Sequence, residues 1–168
     1  MDDLTGRIGL VQGGQDFWAR AIVAATGSPF HHVIVATDNE HCMSADWPTA
    51  QLVPLKQFAG QITWLDVDAT DKQRRDAAWH ALALDGTPYN RVSFALAGAH
   101  AIGIPTPRAL STWVRRYGDD CVMLACSVYA AVGIHLLDDP VTASPGDLAK
   151  VGKLQPHTPD ADSTTQTL

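Results

Sequence analysis

The chemistry-bearing residues of this chain fall into two groups far apart in sequence. One is Cys126, in "LACSVYAAVG". The other is the histidine pair His31–His32, at the mouth of the apolar run "SPFHHVIVATDNE". A helix starting at Cys126 would put its thiol at the positive end of the helix dipole, which favours thiolate and so makes a nucleophile. Attack on a carbonyl carbon also needs a general base, and imidazole is best matched to neutral pH. His32 can supply it from a strand, a long-range pairing usual for cysteine–histidine sites. On spacing alone, however, a lone cysteine is more often a small buried packing residue.

Metal ligation competes for the same residues. His31, His32, His41 and Cys42 lie within one short hairpin. Neighbours on a strand point to opposite faces, so only two of the four would share a side, and a structural zinc wants four ligands. No Cys-x-x-Cys accompanies them, and no metal is expected. His80, His100 and His135 sit in apolar or helical settings and read as structural. Cys42 and Cys121 read as packing residues, and the Cys121–Cys126 spacing matches no standard redox pair. With three cysteines in all, at least one thiol should be free.

The elements that must position these residues can be read from pattern. "RIGLVQGG" is a short strand ending in a glycine turn, and "QDFWARAIVAATG" a helix stopped by Gly27. "FHHVIVAT" is a β-branched strand that returns through "DNE" into "HCMSA" as a hairpin. "ITWLDV" is a third strand candidate. "TDKQRRDAAWHALAL" is a helix with Thr70 or Asp71 as cap and Gly86 as stop. "TPYNRVSFALAGAHAIGI" gives a loop and an apolar helix, "TPRALSTWVRRYG" another helix, and "CSVYAAVGIHL" a short helix beginning near Cys126. The organisation is α+β, a small antiparallel sheet packed against helices, in a domain of residues 1–154. The polar, Pro-bearing segment 155–168 is expected to be a disordered tail.

Composition bounds the rest. The 168 residues are 46% hydrophobic, enough for one real core. Twelve basic residues stand against eighteen acidic, a net charge of -6, and no Lys/Arg run is long enough for a nucleic-acid patch. "VSFALAGAHAIGI" is too short and broken to span a bilayer. "MDDLTGRIGLVQGG" lacks the basic start and apolar stretch of a signal peptide, so a cytoplasmic protein is expected.

In order along the chain, "GLVQGGQDFWARAIVAATGSPFHHVIVAT", "CMSADWPTAQLVPL" and "CSVYAAVGIHL" resemble the permuted NlpC-type papain-like cysteine hydrolases. That branch includes the YiiX/YebB-like proteins and is related to lecithin:retinol acyltransferase. "TGSPFHHV" resembles the family's histidine element with the family histidine at His32, "CSVYA" its nucleophile element with Cys126 in the nucleophile's place, and "SPGDLAK" its closing element. The resemblance covers roughly residues 8 to 150. It implies a circularly permuted papain-like fold and a cysteine hydrolase or acyltransferase acting on an amide or ester of a small molecule, peptide or lipid. Cys126 would attack, His32 would act as base, and no cofactor would be needed. The backbone N–H of Cys126 would help bind the oxyanion. The family's third polar residue, usually Glu or His, orients the imidazole. Here Ser44 stands at that position, with Glu40, His41 or Asp46 as possible substitutes. A serine hydroxyl holds a ring N–H without bringing charge, which leaves room for an inactive relative that only binds. Phe17, Trp18 and Trp47 would line a substrate groove.

Overall fold

Short strands, the central ones buried on both faces, build the middle of this molecule. The computed structural model describes residues 3–14, 17–101, 103–104 and 118–156. The strands are β1 (Ile8–Gln12), β2 (Phe30–Ala36), β3 (His41–Ala45), β4 (Ala50–Pro54), β5 (Ile62–Asp66) and β6 (Lys153–Pro156). They form one open antiparallel sheet in the order β4-β3-β2-β1-β5-β6. The helices are α1 (Phe17–Thr26), α2 (Asp71–Leu82), α3 (Arg91–Ala101), α4 (Cys121–Ala131) and a single turn, α5 (Pro145–Leu148). This is the expected α+β architecture. Among the described residues, no helix is long and apolar enough to cross a membrane.

Side chains of a strand alternate between faces, and the two faces of this sheet have separate cores. Ile8, Leu10, Val33, Val35, Met43 and Leu65 point to one side and pack with α2, α4 and α5. Val11, Ile34, Ala36, Cys42, Ile62 and Trp64 point to the other, where Leu55 and Phe58 of a 3-10 turn help cover them. The register matches this division, pairing Ile8 with Val35, Gly9 with Ile34, Leu10 with Val33 and Val11 with His32. A bulge follows, between Val11 and Gln12.

α2 begins with a reciprocal cap. Gln73 N–H donates to Thr70 Oγ1 at 3.2 Å, and Thr70 N–H donates to Gln73 Oε1 at 3.0 Å. α4 begins on Asp120, one of whose carboxylate oxygens accepts from Val122 N–H at 2.9 Å and Met123 N–H at 2.8 Å. The start of α3 is tied to the start of α4. Asn90 caps α3 through Val92 and Ser93 N–H, donates its own backbone N–H to Asp119 O, and donates Nδ2–H to Gly118 O at 3.0 Å. Tyr89 forms a parallel bridge with Asp119.

At the opposite end of β1, Gly6 donates to Ala36 O at 2.8 Å, and its carbonyl accepts the phenol of the fully buried Tyr129 at 2.7 Å. Removing that hydroxyl leaves a buried carbonyl short of a donor. Tyr129→Phe is expected to cost about 1–2 kcal/mol, seen as a lower urea midpoint with an unchanged slope. An unchanged midpoint would show the bond to be dispensable.

Three sequence expectations need correction. The last long helix begins at Cys121, five residues before Cys126. β4 lies where the pattern announces no strand; it is an edge strand with Gln51 and Leu52 exposed and Pro54 at its end, so it shows no clean alternation. β6, at the other edge, is equally short of pattern and carries the sheet through Pro156, past the expected boundary at residue 154. The helix expected over "TPRALSTWVRRYG" lies outside the described residues, as does the segment from residue 157 onward.

Candidate functional site

The hairpin register brings His32 and Ser44 together. Ser44 pairs with Ile34, two residues along from His32 and on the same face. Its hydroxyl lies 2.7 Å from His32 Nε2, and the ring sits 6.0 Å from that of Phe58. Burial drives the imidazole pKa from 6.5 down to about 4, with His31 pushing the same way and the Asp46 carboxylate opposing. His32 is therefore neutral near pH 7, held by a neutral hydroxyl. Of the other residues offered as its orienter, His41 pairs instead with Asp38 at 3.2 Å on the surface, and Glu40 is exposed.

Cys126 is elsewhere. It is the sixth residue of α4, 6% exposed, in the core between that helix and the sheet. His32, opposite Val11, belongs to the other face. The dipole argument for an activated Cys126 does not hold, because a residue in the helix interior is not at the positive end. Its N–H is likewise committed to the helix rather than to an oxyanion.

The cysteine at the helix start is Cys121, which reads from sequence as a packing residue. It follows the Asp120 cap directly and is 8% exposed. Burial pushes its thiol pKa well above the ordinary value. The Asp120 carboxylate adds to the rise, the Val33 N–H against the sulfur opposes it, Asp46 adds again, and its own first-turn neighbour Val122 N–H opposes. The contact with Val33 N–H places this thiol beside the backbone that continues from His32. Cys42, on the face opposite α4, is raised to about 12 by burial and by Asp38. All three cysteines are free thiols.

The signal that could have found Cys121 is "GDDC". An aspartate immediately before a buried run is a helix N-cap signature. His31 is half-buried, and a methyl group on Gly14 would lie 2.7 Å from its Nε2, so Gly14 is required for the chain to pass this ring. Trp47 is 60% exposed, next to Asp46 and ahead of Pro48. Phe17 and Trp18 open α1, and their side chains lie outside the described residues. Among the described residues, no group of three or more His, Cys, Asp or Glu side chains is arranged to hold a metal ion. A cleft of about 520 Å³ lies between Thr26, His100, Leu137 and the carboxylates Asp138, Asp139 and Asp147, and none of the residues above lines it.

No protein-family model matches the chain, and no curated protein matches it. Among solved structures, the chain is similar to the crystal structure of the metalloprotein YiiX from Escherichia coli O157:H7 (DUF1105). The two share 18% identity at a TM-score of 0.55, over 84% of this chain and 79% of that one. At that identity the likeness is one of fold, and the fold of this chain is that of a YiiX-like protein.

Proposed function

We propose that this protein is a papain-like domain of the cysteine-hydrolase type whose thiol chemistry is weak or absent, and that it acts as a binding module for a small molecule, peptide or lipid. The observation that supports this best is His32, a neutral imidazole bonded to Ser44 and facing away from Cys126. With a hydroxyl rather than a carboxylate bonded to the ring, and Asp46 offsetting only part of the burial, imidazolium formed during proton abstraction gains little stabilisation. The three free thiols are compatible with a reducing, cytoplasmic location. The similar structure is described as a metalloprotein, but the described residues here do not fit a metal centre.

A second reading rests on the start of α4. With Cys121 at the first helical position and the Val33 N–H at its sulfur, Cys121 rather than Cys126 would attack an amide or ester carbonyl. His32 lies on the opposite face of the sheet from α4, so a base other than His32 would take the thiol proton and return it to the leaving group, and water would then release the acyl group from the sulfur.

Turnover of an amide and ester panel by wild type, Cys121→Ala, Cys126→Ala and His32→Ala separates these readings. The binding-module reading expects wild type to hydrolyse no faster than any of the three variants. Activity lost in Cys121→Ala but kept in Cys126→Ala would replace it with the second reading, whatever the effect of His32→Ala. Activity lost on removing Cys126 would restore that residue as nucleophile.

A further inference from the structure

The quiet thiol of the binding-module reading has a local cause in the first turn of α4. A helix N-terminus stabilises a thiolate through its unpaired N–H groups and its dipole. At α4 two of those groups are already drawn to Asp120, and of these only Val122 N–H still bears on the Cys121 sulfur. One oxygen of Asp120 accepts from both Val122 and Met123 N–H, at 2.9 and 2.8 Å. The carboxylate is 3% exposed and adjacent in sequence to Cys121, so its charge acts on the sulfur through the protein rather than through water.

Resting on the binding-module reading, we propose that Asp120 holds Cys121 in its thiol form, by drawing the Val122 and Met123 N–H groups onto its own oxygen and so competing with a thiolate for them, and by setting a buried negative charge beside it. One residue thus starts the helix and disarms the cysteine that the helix start would activate. The other groups bearing on this corner are Asp119, which precedes Asp120, the Ser93 hydroxyl from α3, which donates to Asn90 O and lies near Asp120, Asp46 just after β3, and His32, which feels Asp46. The other two carboxylates that act here, Asp119 and Asp46, share the sign of Asp120, so neither offsets it. Burial alone would also raise the thiol, which is why the test changes charge while keeping a cap.

The experiment follows the pH profile of iodoacetamide alkylation at Cys121 by peptide mass mapping in the full chain. It compares wild type, Asp120→Asn and Asp120→Ser, both neutral residues that still cap helices, and Asp119→Asn. Circular dichroism checks each fold, and either cap variant suffices if the other does not fold. The expected result is a midpoint lower by about one pH unit or more in the cap variants, roughly tenfold more thiolate at any pH below both midpoints. The plateau rate at high pH should not change, and Asp119→Asn should shift the midpoint less.

An unchanged midpoint in the cap variants overturns the proposal and leaves the weak-thiol reading standing. A higher plateau at an unchanged midpoint shows only loosening of the helix start and also overturns it. An equal shift in Asp119→Asn removes the assignment to Asp120. A wild-type midpoint already below neutral pH overturns both the proposal and the weak-thiol reading.

Discussion

Gly6→Ala is expected to be among the most damaging single-methyl additions at the described residues. Gly6 has φ +74, and a methyl group there would lie 2.6 Å from the carbonyl carbon of Arg74 and closer still to its oxygen. Neither partner can move freely. Arg74 O belongs to α2, while Gly6 is tied through its N–H to Ala36 and through its carbonyl to Tyr129. Forcing them apart separates the start of β1 from α2, β2 and α4 together. A cost of about 4 kcal/mol or more is expected, in the class reserved for strain at special backbone positions. For a chain of this length that lowers Tm by roughly 8–16 °C. Gly27→Ala is the control. Gly27 has φ +65 but nothing within 4 Å of the added methyl, so only backbone strain applies, about 1 kcal/mol. Equal Tm losses in the two variants would show that the clash with Arg74 plays no part.

The second large effect is a cancellation in acid. His32 is buried and neutral, its pKa taken from 6.5 to about 4. Between those values the unfolded chain binds the extra proton, so this stability is complete above pH 6.5 and is lost as pH falls toward 4. Asp120 behaves oppositely. Burial, opposed by the Met123 N–H, Ser93 and Val122 N–H and aided by Asp119, raises its carboxyl from 3.8 to about 6. The folded protein then binds the extra proton, so stability lost above pH 6 returns as pH falls toward 3.8. Each contribution is on the order of 3 kcal/mol, and they overlap with opposite signs. Denaturant midpoints of wild type, His32→Gln and Asp120→Asn between pH 7 and 4 should therefore diverge. Relative to wild type, His32→Gln should gain stability on acidification and Asp120→Asn should lose it. Parallel pH curves for all three proteins would refute the assignment of these two groups.

Legibility in the sequence tracks what a pattern can encode. Thr70 and Gln73 announce α2 because capping is local chemistry, written within four residues. Ser44 can be placed near His32 because strand alternation and a short hairpin fix which residues share a face. The start of α4 is hidden because the helix has no amphipathic phase. Every residue from Cys121 to Cys126 is buried, along with Val128 and Tyr129, so no polar face marks where the helix begins. Only Asp120 marks its start, and "CSVYA" points five residues too far along. The division between Cys126 and His32 is unreadable for a different reason. Which sheet face a helix covers depends on tertiary packing, and no spacing within either segment records it.

The stitching of Asn90 and Tyr89 to Gly118 and Asp119 has a consequence for how the chain can change length. The chain just before α3 and the chain just before α4 are thus clasped to each other at Tyr89–Asn90 and Gly118–Asp119. Gly118 makes the clasp tight, since a methyl group there would lie 2.9 Å from the Pro88 carbonyl carbon. The entropy of closing a loop grows only with the logarithm of its length. Length added between the clasped ends therefore costs little so long as α3 is kept, because its buried Ser93 and its Leu96, packed on Met123 and Val141, are part of the core, while Asp120 and Cys121 stay where the clasp sets them. This makes the clasp a fixed base from which new binding surface can be carried beside the site without refolding the sheet.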